Sequence, residues 1–273
     1  MKKLTLLIFC SIFFFSCEEV IDIEVPSGEP KLIVDAIFEV YFDSVPLTAK
    51  TIVKLRLSAD YFEEEIPLVT NATVTLEDLS NNTIIHFEDG NLDGNYNPIT
   101  PFIPKDDVEY ELSVTYNNEV FTGKATKIKT PTFINIEQGT KTLFTGKETE
   151  VKVAFPDDGS EENYYVFDFS KNLYLPIEDR YFNGSDYNFS FFYQEEEIEL
   201  PTEVTIKMSG VSKDYYTYFR VFLSQSGQGG GGPFSTIPSS LLGNIVNRTN
   251  SKNFPLGYFH IAETATSNLS LTE

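Results

Sequence analysis

Strict alternation of apolar and polar residues is the feature that most constrains this chain. Val108, Tyr110, Leu112, Val114 and Tyr116 interleave with Glu109, Glu111, Ser113 and Thr115. Only an extended backbone puts the first set on one face, against a core, and the second on the other, in water. The same pattern runs through Val53, Leu55, Leu57; Ala72, Val74, Leu76; Val151, Val153, Phe155; and Val204, Ile206, Met208. Turn residues separate these runs at intervals of roughly 8 to 20 residues, as in sandwiches. The expected fold is therefore mostly β. Residues 31–130 carry enough strands to close an immunoglobulin-like sandwich, ending near Thr130-Pro131, and 131–273 form a second strand-rich domain. One segment departs from the alternation. Ser212 can cap a helix, Asp214 sits in its first turn, and Tyr215, Phe219, Phe222 and Leu223 share a helical face, which predicts one helix near 212–225.

The N-terminus has a different character. Lys2 and Lys3 precede a mostly apolar run from Leu4 to Phe15, followed by Ser16 and Cys17. This layout of basic start, apolar stretch and small residue is that of a secretory signal. Glu18 and Glu19 end the run short of the roughly 20 residues a spanning helix needs. Ser16-Cys17 resembles the lipobox of bacterial lipoproteins, with Phe14 where that motif usually has leucine, so Cys17 is expected to become a lipidated N-terminus. Glu18 and Glu19 resemble the acidic tag that sends Bacteroidota lipoproteins to the outer face of the outer membrane. The division is then a signal peptide at 1–16, a lipidated tether at 17–30 containing Pro26, Gly28 and Pro30, and the two β domains. Cys10 lies in the discarded segment, so the mature chain would have neither a disulfide nor a cysteine metal site.

Charge narrows the partners. Removal of residues 1–16 takes two lysines and no acids, deepening the formal net charge from −21 to −23. Such a surface repels phosphate backbones, so nucleic acid is not an expected partner. With 41% hydrophobic and 14% aromatic residues, the acidity does not imply disorder.

The tail GQGGGGPFSTIPSSLLGNIVN, then GYFHIAE, preceded by DYYTYFRVF, together with the front segments CEEVIDIEVP, PKLIVDAIF and VTNATVTLED, resembles the Bacteroidota lipoproteins grouped as domain of unknown function 4249. The resemblance covers nearly the whole mature chain. It implies an outer-membrane lipoprotein without an assigned activity, often encoded beside TonB-dependent transporters, and hence an accessory or ligand-capturing role. Pro233, Phe234, Pro238, Gly243, Asn244, Ile245, Gly257, Tyr258 and Phe259 carry over as a structural signature without a chemical role.

Two stretches carry candidate chemistry. Asp89, Asn91 and Asp93, followed by Gly94, have the spacing of a calcium loop, yet Thr100 stands at the twelfth position, where a bidentate carboxylate is needed. Asp-Gly and Gly-Asn also make tight turns unaided, so a hairpin turn competes with weak calcium binding. Between Asn163 and Tyr193 lie twelve of the 39 aromatic residues. Tyr165, Phe167 and Phe169 alternate as core residues. Tyr174, Tyr181, Phe182 and Tyr187 sit in an irregular stretch with Asn172, Asp179, Arg180, Asn183 and Asp186, a mixture that suits sugars or peptides, with core packing the favoured reading. His86 and His260 lie within strand-like runs and read as structural. No catalytic or phosphate-binding motif is present, since GQGGGG has neither the lysine nor the preceding strand such a loop requires. The expected protein is a non-enzymatic, lipid-anchored partner of a TonB-dependent transporter, needing no cofactor. Alternatives are a surface adhesin that binds glycan or protein, and a hydrolase with an unrecognised carboxylate site.

Overall fold

The computed structural model describes residues 28–60, 63, 65–226 and 241–273. Cys17, the signal segment and Pro233, Phe234 and Pro238 lie outside the described residues. The fold is mostly β and sandwich-like, as the alternation predicts. Eight strands come first: β1 (Leu32–Tyr41), β2 (Thr48–Lys50), β3 (Val53–Leu57), β4 (Thr73–Asp78), β5 (Thr83–Glu88), β6 (Asn95–Pro98), β7 (Glu109–Tyr116) and β8 (Glu119–Thr126). Then follow β9 (Asn135–Gln138), β10 (Thr149–Phe155), β11 (Tyr164–Asp168), β12 (Tyr174–Glu178), β13 (Tyr187–Tyr193) and β14 (Thr202–Val211). The helix α1 (Lys213–Gln225) precedes β15 (Val246–Asn247) and the long β16 (Leu256–Leu271).

Thirteen strands make one sheet in the order β12-β11-β14-β16-β1-β3-β6-β5-β4-β7-β8-β15, with β2 added beside β1, and β13-β10-β9 make a second, smaller sheet. β16 organises the large sheet. Its first half runs parallel to β1, with Asp35 opposite Tyr258 and Ile37 opposite His260. Its second half pairs antiparallel with β14, from Ser209 opposite Thr264 to Thr202 opposite Leu271.

Because successive side chains point to opposite faces, β1 divides its residues cleanly. Val34, Ala36 and Phe38 are fully buried in the first core with Leu55, Leu76, Leu112, Val114 and Phe121. Phe259 and Ile261 of β16, and Ile245 before β15, belong to this same core. Ile128, just past β8, donates to the carbonyl of Ile261 (3.0 Å) and accepts from the amide of Glu263 (2.9 Å), so the curled first sandwich is sealed against β16. The second core lies between β10 and β13 of the small sheet and β11, β14 and β16 of the large one, with Phe155, Tyr165, Phe167, Phe169, Ile206 and Met208 at its centre.

The signature around residues 243–259 has a steric explanation. Asn244 Nδ2 donates to the carbonyls of Lys124 (3.0 Å) and Phe259 (2.8 Å), while its Oδ1 accepts from the Phe259 amide (2.8 Å). Gly257 has φ +96°, and a side chain there would meet the carbonyl of Val34. Gly243 packs on the carbonyl of Gly257 with no room for a Cβ. These residues let one segment thread between β8 and β16.

Candidate functional site

The other face of β1 shares its side of the sheet with Tyr258, His260 and Ala262 of β16, Lys207, Ser209 and Val211 of β14, and Val166 and Asp168 of β11. α1 lies over this face. Ser212 caps it, accepting from the amide of Tyr215 at 3.2 Å, as the sequence predicts. Tyr215 and Tyr216 are buried against Tyr164, Val211 and Tyr258, and Tyr215 stacks on the His260 ring at 4.4 Å and 8°. Farther along, Tyr218 contacts Tyr258 (4.9 Å), Phe219 meets the edge of Tyr174 (5.5 Å), and Phe222 is exposed. Between helix and sheet remains a cleft of about 470 Å³, within the size range of small-molecule sites.

Rings form one wall of this cleft and a charged cluster lies at its floor. Lys207 Nζ donates to Glu39 Oε1 (2.8 Å) and to the Tyr41 hydroxyl (3.2 Å), and Tyr41 in turn donates to Glu39 Oε2 (2.9 Å). Burial works against charge on Glu39, but the Lys207 hydrogen bond and charge outweigh it and hold the carboxyl below its ordinary range. Burial likewise opposes the Lys207 charge, and Glu39 more than compensates, raising the ammonium's pKa. Asp168 differs: burial pushes its carboxyl upward, and the amide of Ser170 (2.8 Å on Oδ1) and the charge of Lys207 offset this only in part. Lys54 and Asp35 pair at 3.2 Å nearer the mouth.

Several polar groups facing the cleft are left over. His260 is 4% exposed, and burial lowers its pKa to about 4, so it is neutral at pH 7. Its backbone partner is Gly210, and Nε2 has no hydrogen-bond partner among the described residues. Among the described residues the hydroxyls of Tyr174, Tyr215 and Tyr218 also make no hydrogen bond, and burial raises the pKa of all three, that of Tyr218 to about 12.

The sequence-predicted residues scatter relative to this site. Tyr174 lines the cleft. Phe182 and Tyr187 stack on each other at 3.9 Å and pack edge-on against Phe155 in the second core, while Tyr181 is 88% exposed. The four aromatic residues therefore do not form one surface. In the Asp89–Asn95 turn, Asp89 accepts from the amides of Asp93 (3.1 Å) and Gly94 (2.8 Å), and Asp93 accepts from that of Asn95 (3.0 Å), with Asn91 at the tip. Among the described residues no three His, Cys, Asp or Glu side chains stand close enough together to hold a metal ion. Nor is any helix among them long and apolar enough to cross a membrane. Buried carboxylates elsewhere hold loops. Glu148 accepts from the amides of Thr145, Leu143 and Gly146, and the bonds from Thr145 above all outweigh burial and bring its pKa to about 2; Glu150 accepts from the amide of Lys141, and Asp179 from that of Asn163.

Glu39, Asp168, Lys207 and His260 were not apparent as site residues from sequence. Their signal was faint: a charge inside an otherwise apolar strand, as in YYVFDF and VTIKMSG, marks a face that is not simply solvated.

No curated protein matches the sequence. Among solved structures, a DUF4785 family protein from Legionella pneumophila is similar at 10% identity and a TM-score of 0.24, covering 66% of this chain and 52% of its own. The chain thus spans about half the length of that protein. The chicken interferon gamma receptor alpha chain is similar at 15% identity and a TM-score of 0.18, covering 68% of this chain and 89% of its own. Likenesses this distant carry no functional argument. The sequence profile described as domain of unknown function (DUF4249) matches residues 18–268, and the chain therefore belongs to that family.

Proposed function

We propose that this protein is a lipid-anchored ligand-capturing lipoprotein of the Bacteroidota outer membrane, facing outward and serving a TonB-dependent transporter, with the cleft beneath α1 as its capture site. The observation that carries the reading is the cleft itself: about 470 Å³, walled by rings and bordered by the buried, unpartnered Nε2 of His260. Glu39 is committed to Lys207, and the remaining buried carboxylates named above hold loop amides, which favours binding over hydrolysis. The basic-apolar-Cys17 sequence supports the anchor, since two or more acyl chains hold a protein firmly at a bilayer. From Cys17 to β1 the tether could extend at most about 50 Å. Capture near a pore would then raise the local ligand concentration and make transfer nearly intramolecular.

The test joins anchoring to partnership. In the native host, Cys17→Ala should release the protein from the envelope fraction, and the wild-type protein, gently solubilised, should co-purify with a TonB-dependent transporter. Retention of the Cys17→Ala protein in membranes, or a complex lacking any transporter, would overturn the reading.

A further inference from the structure

We propose that the cleft binds a neutral saccharide, an inference that rests on the cleft being a capture site. Three observations select this class. First, the charges lining the cleft balance: three carboxylates (Asp35, Glu39, Asp168) face three lysines (Lys50, Lys54, Lys207). They are largely spent on one another, Lys207 on Glu39 at 2.8 Å, Lys54 on Asp35 at 3.2 Å, and Lys50 on Glu39 at 3.7 Å. An anionic ligand would meet lysines already paired, and a cationic one would find outside these pairs only Asp168, a carboxyl whose charge burial disfavours, so a neutral ligand fits best.

Second, the polar groups without partners are of one kind. Among the described residues the hydroxyls of Tyr174, Tyr215 and Tyr218 make no hydrogen bond, and each can donate or accept. His260 Nε2, on a neutral imidazole whose other hydrogen bond goes to Gly210, is a pure acceptor. Asp168 adds carboxylate oxygen with only the Ser170 amide on Oδ1. His260 Nε2 is a buried atom without a partner, which is uncommon, and the three tyrosine hydroxyls beside it are free to bond; together they favour a ligand rich in hydroxyls that both give and take.

Third, the wall is aromatic. Phe219 and Tyr174 meet edge to face, and Phe222 is exposed at the rim. A pyranose presents hydroxyls at its edge and an apolar C–H face, the combination such a ring-and-hydroxyl surface complements. An apolar peptide would cover the rings and leave the hydroxyls and His260 unpaired at a cost.

The experiment uses the full lipidated chain in detergent micelles and a panel of neutral di- to tetrasaccharides of glucose, galactose, mannose, xylose and N-acetylglucosamine, read by saturation-transfer NMR. Tyrosine fluorescence gives a second readout, undisturbed because the chain has no tryptophan. At least one sugar should bind. Tyr174→Phe and Tyr218→Phe, which delete only a hydroxyl, should each weaken it about three- to tenfold, and an acidic or amino analogue of the bound sugar should bind less well. The proposal is overturned if no panel member binds, if binding ignores both substitutions, or if an apolar peptide or a charged analogue binds better. A protein that joins its transporter in membranes yet fails with every sugar would refute the ligand class alone. Sugar binding by a protein with no transporter would refute the partnership alone.

Discussion

At the scale of single residues, His260 couples the cleft to pH. Its pKa is about 4 when folded, against 6.5 when unfolded, so between those values the unfolded chain binds the extra proton. Stability is therefore fully present above about pH 6.5 and is lost as pH falls toward 4, amounting to about 2 kcal/mol between pH 7 and pH 5. Urea midpoints at the two pH values should show this slope in the wild type and a shallower one in His260→Phe. A parallel slope in the variant would locate the dependence elsewhere. The Glu39–Lys207 pair makes a second case. Lys207→Met leaves a carboxylate that is only 16% exposed without its main cation, and should destabilise by roughly 2 kcal/mol. Adding Glu39→Gln should recover much of that loss, which a double-mutant cycle in denaturant would measure.

At the scale of elements, the joint between β16 and its neighbours carries the sharpest expectations. Asn244→Ala removes three hydrogen bonds and strands backbone groups of Phe259, so a loss of about 2 kcal/mol is expected in thermal or denaturant unfolding. Gly257→Ala should cost more, on the order of 3 kcal/mol, because the residue lies at φ +96° against the carbonyl of Val34. Equal stability of either variant would mean that this joint is slack. Much at this scale was legible in the sequence. The period-two runs became strands, as in β7 and β14, because one buried face leaves the backbone no other solution. Ser212 capped the helix where expected. The partners of those elements were not legible. Core packing is the favoured sequence reading of the rings between 174 and 187, and Phe182 and Tyr187 do fill the second core, yet nothing local reveals that they stack on each other. The cleft was equally hidden: Glu39, Asp168, Lys207 and His260 lie on four different strands, and only the pairing order of those strands brings them to one face.

At the scale of the whole molecule, the two cores share β16. Sequence placed a boundary near Thr130-Pro131, and the chain there is stitched rather than free. The Thr130 hydroxyl donates to the carbonyl of Glu263 (2.5 Å) and accepts from the amide of Gly210 (2.6 Å), while Lys127 pairs with Asp106 and Glu263. A fragment of residues 28–131 would lack Ile245, Phe259 and Ile261 from its core and the strand beside β1. It should be proteolysed quickly and show poorly dispersed amide resonances, whereas the full chain should unfold in a single transition. A well-dispersed spectrum from the fragment would show that the first sandwich is self-sufficient. The side-by-side placement of β1 and β16 also bears on synthesis. β1 waits for a partner more than two hundred residues later in the chain, so neither core can be completed until β16 has emerged. Folding of both halves is thereby timed by the arrival of a single late strand.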